Sequence, residues 1–271
     1  MKRGLKQAAV LALKRAIFGS TGEPYAIAGA TLRYTPGTRP VRVKYRRSDN
    51  AVARYDALQV EMISGMLRPG NFAIDIGAHA GQYALIMASR CGPTGRVIAF
   101  EPDPHARGSL ERNLALNPDV SRPVVESLAL SDREGSATLY SRGGDSNSSL
   151  SLSGLPSVAV EDLEQLDVAV ATLDGYLRDR HLPAPDLMKI DTEGAEIRIL
   201  RGAETVLASS AAILCELHPY AWEGFQTSFE ELKVLLDRFG RRMRYVDQDS
   251  EAKGEATYGC VLLERRAPRI G

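Results

Sequence analysis

Asp75-Ile76-Gly77-Ala78-His79-Ala80-Gly81 follows a short apolar run and precedes a helical pattern. That order predicts a strand, a tight glycine turn and a helix whose N-terminus points at whatever occupies the turn. The next apolar strand, Arg96-Val97-Ile98-Ala99-Phe100, leads into Glu101, twenty residues after Gly81. A loop that admits a ligand to bare backbone, followed about 20 residues later by an acid able to grip a ribose diol, reads as a nucleoside-binding βαβ unit.

Outward from this unit the pattern alternates: strand 72–76, helix 82–89, strand 96–101, helix 104–116 and strand 123–127. It resumes with strand 186–191, helix 195–208 and strand 211–217. Short apolar runs alternating with helices predict an α/β fold with a doubly wound, mostly parallel sheet covered on both faces. Ser228 and Glu231 form a capping box for a helix with Leu232, Leu235, Leu236 and Phe239 on its apolar face, ended by Gly240. Runs 243–246 and 258–263 then close the sheet as an antiparallel hairpin, which brings the expected strands to seven.

Upstream, Tyr55, Leu58, Met62, Ile63 and Met66 fall at helical spacing over 54–67, and Pro69-Gly70 stops that helix. Over 24–47 a hairpin is expected, with Val41, Val43 and Tyr45 alternating with Arg42, Lys44 and Arg46 and a turn at Pro36-Gly37. The organisation is an N-terminal helix and hairpin extension, 1–50, and one domain, 51–271, with an insert at 132–167. The insert is rich in Ser and Gly over 141–157 and acidic around Glu161 to Asp167. Lying between two core strands, it is expected to emerge as a functional loop near the site.

At 271 residues the chain suits one large domain, and 44% apolar residues are enough to bury a core. Lys+Arg and Asp+Glu balance at 34 each, so the charge calls for no nucleic acid or acidic polymer. Cys91, Cys215 and Cys260 are scattered and form no C-x-x-C pair, as expected of buried free thiols. Residues 1–18 have a basic start, but Lys14 and Arg15 break the apolar stretch too early for a secretion signal. No run approaches the ~20 apolar residues of a membrane helix. The segment reads as a basic amphipathic helix expected to pack on the protein body, with docking at a membrane surface as the alternative. A cytoplasmic location is expected.

Glycine spacing separates the cofactors. A dinucleotide fold wants G-x-G-x-x-G facing a pyrophosphate. This chain has Gly77-x-x-x-Gly81, with Asp75 two residues before the first glycine. Such an acid repels an anion and suits a cationic ligand. S-adenosylmethionine, a sulfonium with an α-amino group and no phosphate, fits better than a nicotinamide dinucleotide.

The chain resembles the FkbM-type family of class I S-adenosylmethionine-dependent methyltransferases. The resemblance rests on Asp75-Ile-Gly77-Ala-His79-Ala-Gly81-Gln-Tyr83, Val97-Ile-Ala-Phe-Glu101-Pro-Asp103-Pro and Ala129-Leu-Ser131-Asp132. It continues through Leu173-Asp174, Lys189-Ile-Asp191-Thr-Glu193-Gly-Ala-Glu196, Leu200-Arg-Gly202-Ala and Glu216-Leu-His218-Pro. It departs at His79, where the family's turn most often carries Asn. The resemblance implies a Rossmann-like sheet and methyl transfer to a hydroxyl oxygen of a sugar, glycolipid or secondary metabolite.

The cofactor set expected from turn and resemblance is Asp75, Gly77, Ala78, His79, Gly81, Glu101, Asp103, Ser127, Leu128 and Ala129. Asp75 would hold the amino-acid end, Glu101 the ribose hydroxyls, and 127–129 would lie beside the adenine. A general base should come from the carboxyl ends of the following strands, which carry Lys189, Asp191, Glu193 and Glu216 and then His218. Asp191 and His218 are the candidates for the base or for orienting it, with Lys189 and Glu193 beside them. A hydrogen-bonded structural role for His218 is the alternative. Glu196 is expected to pair with Arg198 or Arg201 on its own helix. Asp191, Glu193, Glu216 and His218 also have ligand chemistry suited to a divalent ion such as Mg²⁺, but no spacing demands one, and no metal is assigned. A non-catalytic S-adenosylmethionine-binding module and a nicotinamide-dependent oxidoreductase are the competing functions.

Overall fold

The computed structural model describes residues 2–38, 51–143, 148–155, 159–246 and 256–266. Its helices are α1 (Lys2–Phe18), α2 (Ala51–Met66), α3 (Gln82–Cys91), α4 (Pro104–Ala115), α5 (Leu173–Asp179), α6 (Glu196–Arg201), α7 (Glu204–Ala208) and α8 (Phe229–Arg238). Its strands are β1 (Glu23–Ile27), β2 (Ala30–Tyr34), β3 (Phe72–Ile76), β4 (Arg96–Phe100), β5 (Val124–Glu126) and β6 (Ala129–Leu130). They continue as β7 (Gly135–Ser141), β8 (Glu164–Ala171), β9 (Leu187–Ile190), β10 (Ala212–Leu217), β11 (Arg241–Tyr245) and β12 (Gly259–Arg265).

Seven strands form the main sheet in the order β11-β12-β10-β9-β3-β4-β5. Neighbours from β10 to β5 run parallel, and β12 and β11 close the edge antiparallel. The expected doubly wound fold is what forms. The chain builds β3, β4 and β5 outward, then returns to lay β9 on the other side of β3. That reversal opens a crevice beyond the carboxyl ends of β3 and β9, where open α/β sheets hold ligands.

Period-two alternation divides the core. Ile74, Ile76, Met188 and Ile190 pack with α5 to α8, whereas Ala73, Ala99, Leu187 and Leu214 pack with α2 to α4. Asp75 and Lys189, neighbours in register, share the second face. All three cysteines are buried and free. Among the described residues no helix is long and apolar enough to cross a membrane.

The structure corrects four sequence expectations. The β1–β2 hairpin turns at Ala28-Gly29, both at positive φ (54° and 81°), while the expected Pro36-Gly37 turn forms separately, closed by the Thr38 amide on the Thr35 carbonyl. Two consecutive positive-φ residues match the twist of a two-residue hairpin turn. Val41, Val43 and Tyr45 lie outside the described residues. The insert is not a loop throughout: β7 and β8 pair antiparallel along their length, and β6 adds to β8 to make a three-stranded sheet. The expected helix over 195–208 is split at Gly202-Ala203 into α6 and α7, where Ala203 leaves helical backbone (φ −132°) and the missing Cβ of Gly202 lets the Ser131 carbonyl oxygen approach.

Glu196 is the fourth correction. It is fully buried and pairs with neither arginine. Arg198 donates instead to the Phe225 carbonyl and Arg201 to Glu231.

Candidate active site

A cavity of about 390 Å³ opens across the carboxyl ends of β10, β9, β3, β4 and β5. Strand order sets out its wall: Glu216 on β10, Asp191 and Glu193 after β9, Gly77 to Ala80 after β3, Glu101 after β4, then Leu128 and Ala129.

The glycine turn is shaped by close approach. A Cβ at Gly77 would lie 1.8 Å from the Asp191 carbonyl oxygen, and its φ of 78° is open to few residues but glycine. The amides of Gly77 and Ala78 both donate to the Phe100 carbonyl at 3.0 Å, locking the turn onto β4. His79 takes the left-handed conformation (φ 46°) despite its side chain. Its amide donates to Glu101 Oε2 at 2.6 Å, and the Asp103 amide donates to Oε1 at 2.9 Å. Glu101 is therefore rigid before any ligand arrives. Burial raises its carboxyl to about 7, against the pull of those two amides.

Four members of the expected cofactor set do not line the cavity: Asp75, Gly81, Asp103 and Ser127. Asp75 is 1% exposed and sits on the face of β3 beneath α3 beside Lys189, and burial raises it to about 6. Gly81 serves instead as the left-handed N-cap of α3 (φ 80°). Asp103 caps α4 through the amides of His105 and Ala106, and its other oxygen accepts from Ser141 and Ser148 in the insert. Burial alone would raise that carboxyl, but the four hydrogen bonds outweigh it and hold it low. Ser127 is exposed, while Leu128 and Ala129 reach the wall. The insert supplies Leu139, Ser148, Ser149 and Leu150 to the wall, none of which was singled out beforehand.

The other end of the cavity is charged. Lys189, 1% exposed, donates to Asp191 Oδ2 at 3.0 Å and lies 4.3 Å from the centre of the Tyr83 ring. Burial would lower this ammonium, but Asp191, Asp75 and Glu216 reverse the effect and raise it. Asp191 is lowered despite burial, held ionised by Lys189 and His218. Burial raises Glu193, whose Oε2 accepts from Tyr220 at 2.8 Å. Tyr258 donates to Glu216 Oε1 at 2.6 Å.

His218 is 2% exposed and lies behind these carboxylates, off the wall. Its Nε2 faces Glu193 at 3.5 Å and Asp191 and Glu216 at 3.9 Å. Its Nδ1 meets Glu196 Oε1 at 2.8 Å. Glu196 also accepts from the Gly194 amide and the Trp222 indole. Burial would lower the imidazole, but the Glu196 hydrogen bond and the charges of Glu196, Asp191 and Glu193 raise it to about 9. At neutral pH His218 is therefore a cation. Asp191, Glu193 and His218 each bring one ligand atom within 4.8 Å of the others, a set that could hold a divalent ion.

The scattered resemblance motifs converge in space. The Asp174 amide donates to the Gly202 carbonyl, whose residue abuts Ser131, and Arg201 lies 3.8 Å from Asp132.

Residues 75–243 match the methyltransferase FkbM domain. The chain is 28% identical over 232 residues to the AMB antimetabolite synthetase AmbE of Pseudomonas aeruginosa, covering 73% of itself and 11% of that protein. It is 27% identical over 147 residues to the hexuronic acid methyltransferase AglP of Haloferax volcanii, covering 53% and 54%. With the 2-O-methyltransferase NoeI of Sinorhizobium fredii it shares 25% over 187 residues, covering 65% and 74%. The chain thus spans a small part of AmbE and about half of AglP. With the domain match running from Asp75 near the end of β3 into β11, the chain belongs to the FkbM methyltransferase family.

Proposed function

We propose that this chain is an S-adenosylmethionine-dependent O-methyltransferase acting on a hydroxyl of a sugar, glycolipid or secondary metabolite. One observation carries the reading. A single cavity joins the rigid Glu101 carboxylate and bare glycine turn to an acid-lined end at Asp191, Glu193 and Glu216. The names of AglP and NoeI, a hexuronic acid methyltransferase and a 2-O-methyltransferase, support the acceptor class.

When bound, S-adenosylmethionine supplies a methyl group activated by its sulfonium. The residues present suit it: Gly77 to Ala80 bring the turn's backbone to the cavity wall, and residues 75–81 include no Lys or Arg to hold a phosphate. Glu101 offers its remaining lone pairs to a ribose diol, and Leu128 and Ala129 give an apolar wall to the base.

An acceptor hydroxyl is a weak nucleophile until its proton is taken. Glu193 is on the wall and burial has raised its proton affinity, so it takes the proton. Asp191 stays ionised between Lys189 and His218 and orients the hydroxyl. His218 already carries its proton and lies off the wall, which makes it a positioning residue.

Calorimetry with S-adenosylhomocysteine and NADH tests the cofactor, and heat with NADH alone would end the proposal. Transfer of labelled methyl to a panel of glycans, glycolipids and polyols tests the reaction. Tight cofactor binding with no labelled product from any acceptor would favour a binding module. Glu193→Gln should lower kcat by about 10²-fold or more while leaving S-adenosylhomocysteine affinity intact. Unchanged turnover would remove it as the base.

A further inference from the structure

We infer that the outer face of α1 docks on an anionic lipid surface. Helix α1 carries Lys2, Arg3, Lys6, Lys14 and Arg15 and no acid, in a chain whose charges balance only when these five are counted. One flank is used internally. Lys14 pairs with Glu23 on β1 at 2.5 Å, Leu11 packs towards Gly37, and the Phe18 carbonyl accepts from Gly22.

The other flank is apolar and open to solvent. Val10, Leu13 and Ile17 are 54%, 61% and 59% exposed, and their spacing of three and four places them on one stripe. Of the nine large hydrophobic side chains exposed among the described residues, these three alone share a helical stripe, which sets the patch apart from scattered surface apolars.

Charge selects the occupant. A second copy of this helix would bring cations against cations, since α1 has no acid to answer them. An anionic bilayer meets both properties, taking the stripe into the headgroup boundary and neutralising the basic residues. The platform is firm enough to use. Asn117 and Asn113 on and just past α4 accept from the Arg33 and Thr35 amides, fixing the β1–β2 hairpin that carries α1.

The inference stands apart from methyl transfer and is tested on the full chain by vesicle co-sedimentation. Vesicles of phosphatidylcholine alone should pellet little protein. Vesicles that also contain phosphatidylglycerol should pellet it, with release as salt rises. Leu13→Gln/Ile17→Gln keeps good helix formers and should weaken binding at least about tenfold. Arg15→Glu, at an exposed site on the side of the helix away from the stripe, should weaken it less, through the lost long-range attraction. Unchanged melting temperature in both variants shows that the fold is intact. No binding to either vesicle, or binding that both variants retain, would overturn the inference. So would a dimer on size exclusion that Leu13→Gln/Ile17→Gln dissociates, since the stripe would then belong to a second copy.

Discussion

Glu196 and His218 meet at 2.8 Å with both side chains sealed from water, one carboxylate fixing the charge of one imidazole. In the unfolded chain the imidazole returns to its ordinary range, near 6.5. Its folded value of about 9 means the native state binds that proton more tightly. The resulting stability is fully present below about pH 6.5 and is lost as pH rises through about 9, a change on the order of 3 kcal/mol. Glu101, at about 7, finishes titrating about one unit higher. The buried thiols Cys91 and Cys215, raised by burial, add slope of the same sign near their ordinary range, so the histidine is read by comparison with a variant that lacks it. Urea unfolding should show stability falling from about pH 7.5 to 9.5 in the native chain and much less in His218→Gln. Equal slopes in both would contradict the assignment.

Glu101 gives a prediction of opposite sign. A protonated carboxyl loses acceptor capacity, so S-adenosylhomocysteine should bind more weakly as pH falls through about 7. Glu101→Gln places an amide where two backbone donors need acceptors. Affinity should drop by about ten- to a hundredfold, as expected for loss of charged hydrogen bonds. Titration calorimetry at pH values on either side of 7 reads both effects. Binding that is flat with pH and unaffected by the substitution would remove Glu101 from the ribose site.

These assignments show which parts of the protein its sequence discloses. The βαβ unit was legible because strand, glycine turn and helix are local, and so was the convergence of Gly77, Glu101 and Asp191, each at a strand end. Asp75 was misplaced on the cavity because the turn was read as a string of residues. Alternation instead puts Asp75 with Ala73 on the face that packs under α2 to α4, opposite Ile74 and Ile76. The β7–β8 pair was hidden by separation: Leu166, Val168 and Val170 alternate, but their partner strand lies more than twenty residues upstream. Glu196 was read as a surface charge on a short helix. One signal pointed inward, since it stands between Ala195 and Ile197, both buried. Its partners His218 and Trp222 are 22 and 26 residues away, beyond the reach of helix spacing.

Arg241 tests how the closing hairpin is held. It is fully buried, and its guanidinium donates to the carbonyls of Val206, Leu207, Ser209, Ala211 and Leu263. Three of these carbonyls lie at the end of α7, so a β11 side chain completes a helix C-terminus that Ser209 and Arg265 cap only in part. Arg241→Met would take a buried donor from all five carbonyls; Val206 keeps Ser209 and Ser209 keeps Arg265, but Leu207 and Ala211 lose their side-chain donor in an apolar setting. Stability should fall by about 3 kcal/mol or more, read as the shift of the urea midpoint at constant slope. Arg241→Lys should recover only part of the loss, since three donors cannot replace the five-bond fork. Full stability in the methionine variant would show that water meets those carbonyls instead.

The acid-lined end of the cavity makes a prediction about metal. Asp191, Glu193 and His218 offer three ligand atoms within 4.8 Å of one another. Against the carboxylates stand two cations, the Lys189 ammonium 3.0 Å from Asp191 and the protonated His218. A divalent ion would have to displace the His218 proton and face Lys189 at short range, and both oppose binding. Calorimetric titration with Mn²⁺ or Mg²⁺ at neutral pH should show no saturable site. Methyl transfer should persist in EDTA. Saturable Mn²⁺ binding that Asp191→Asn abolishes would reverse the reading, turning His218 from a fixed cation into a neutral ligand oriented by Glu196.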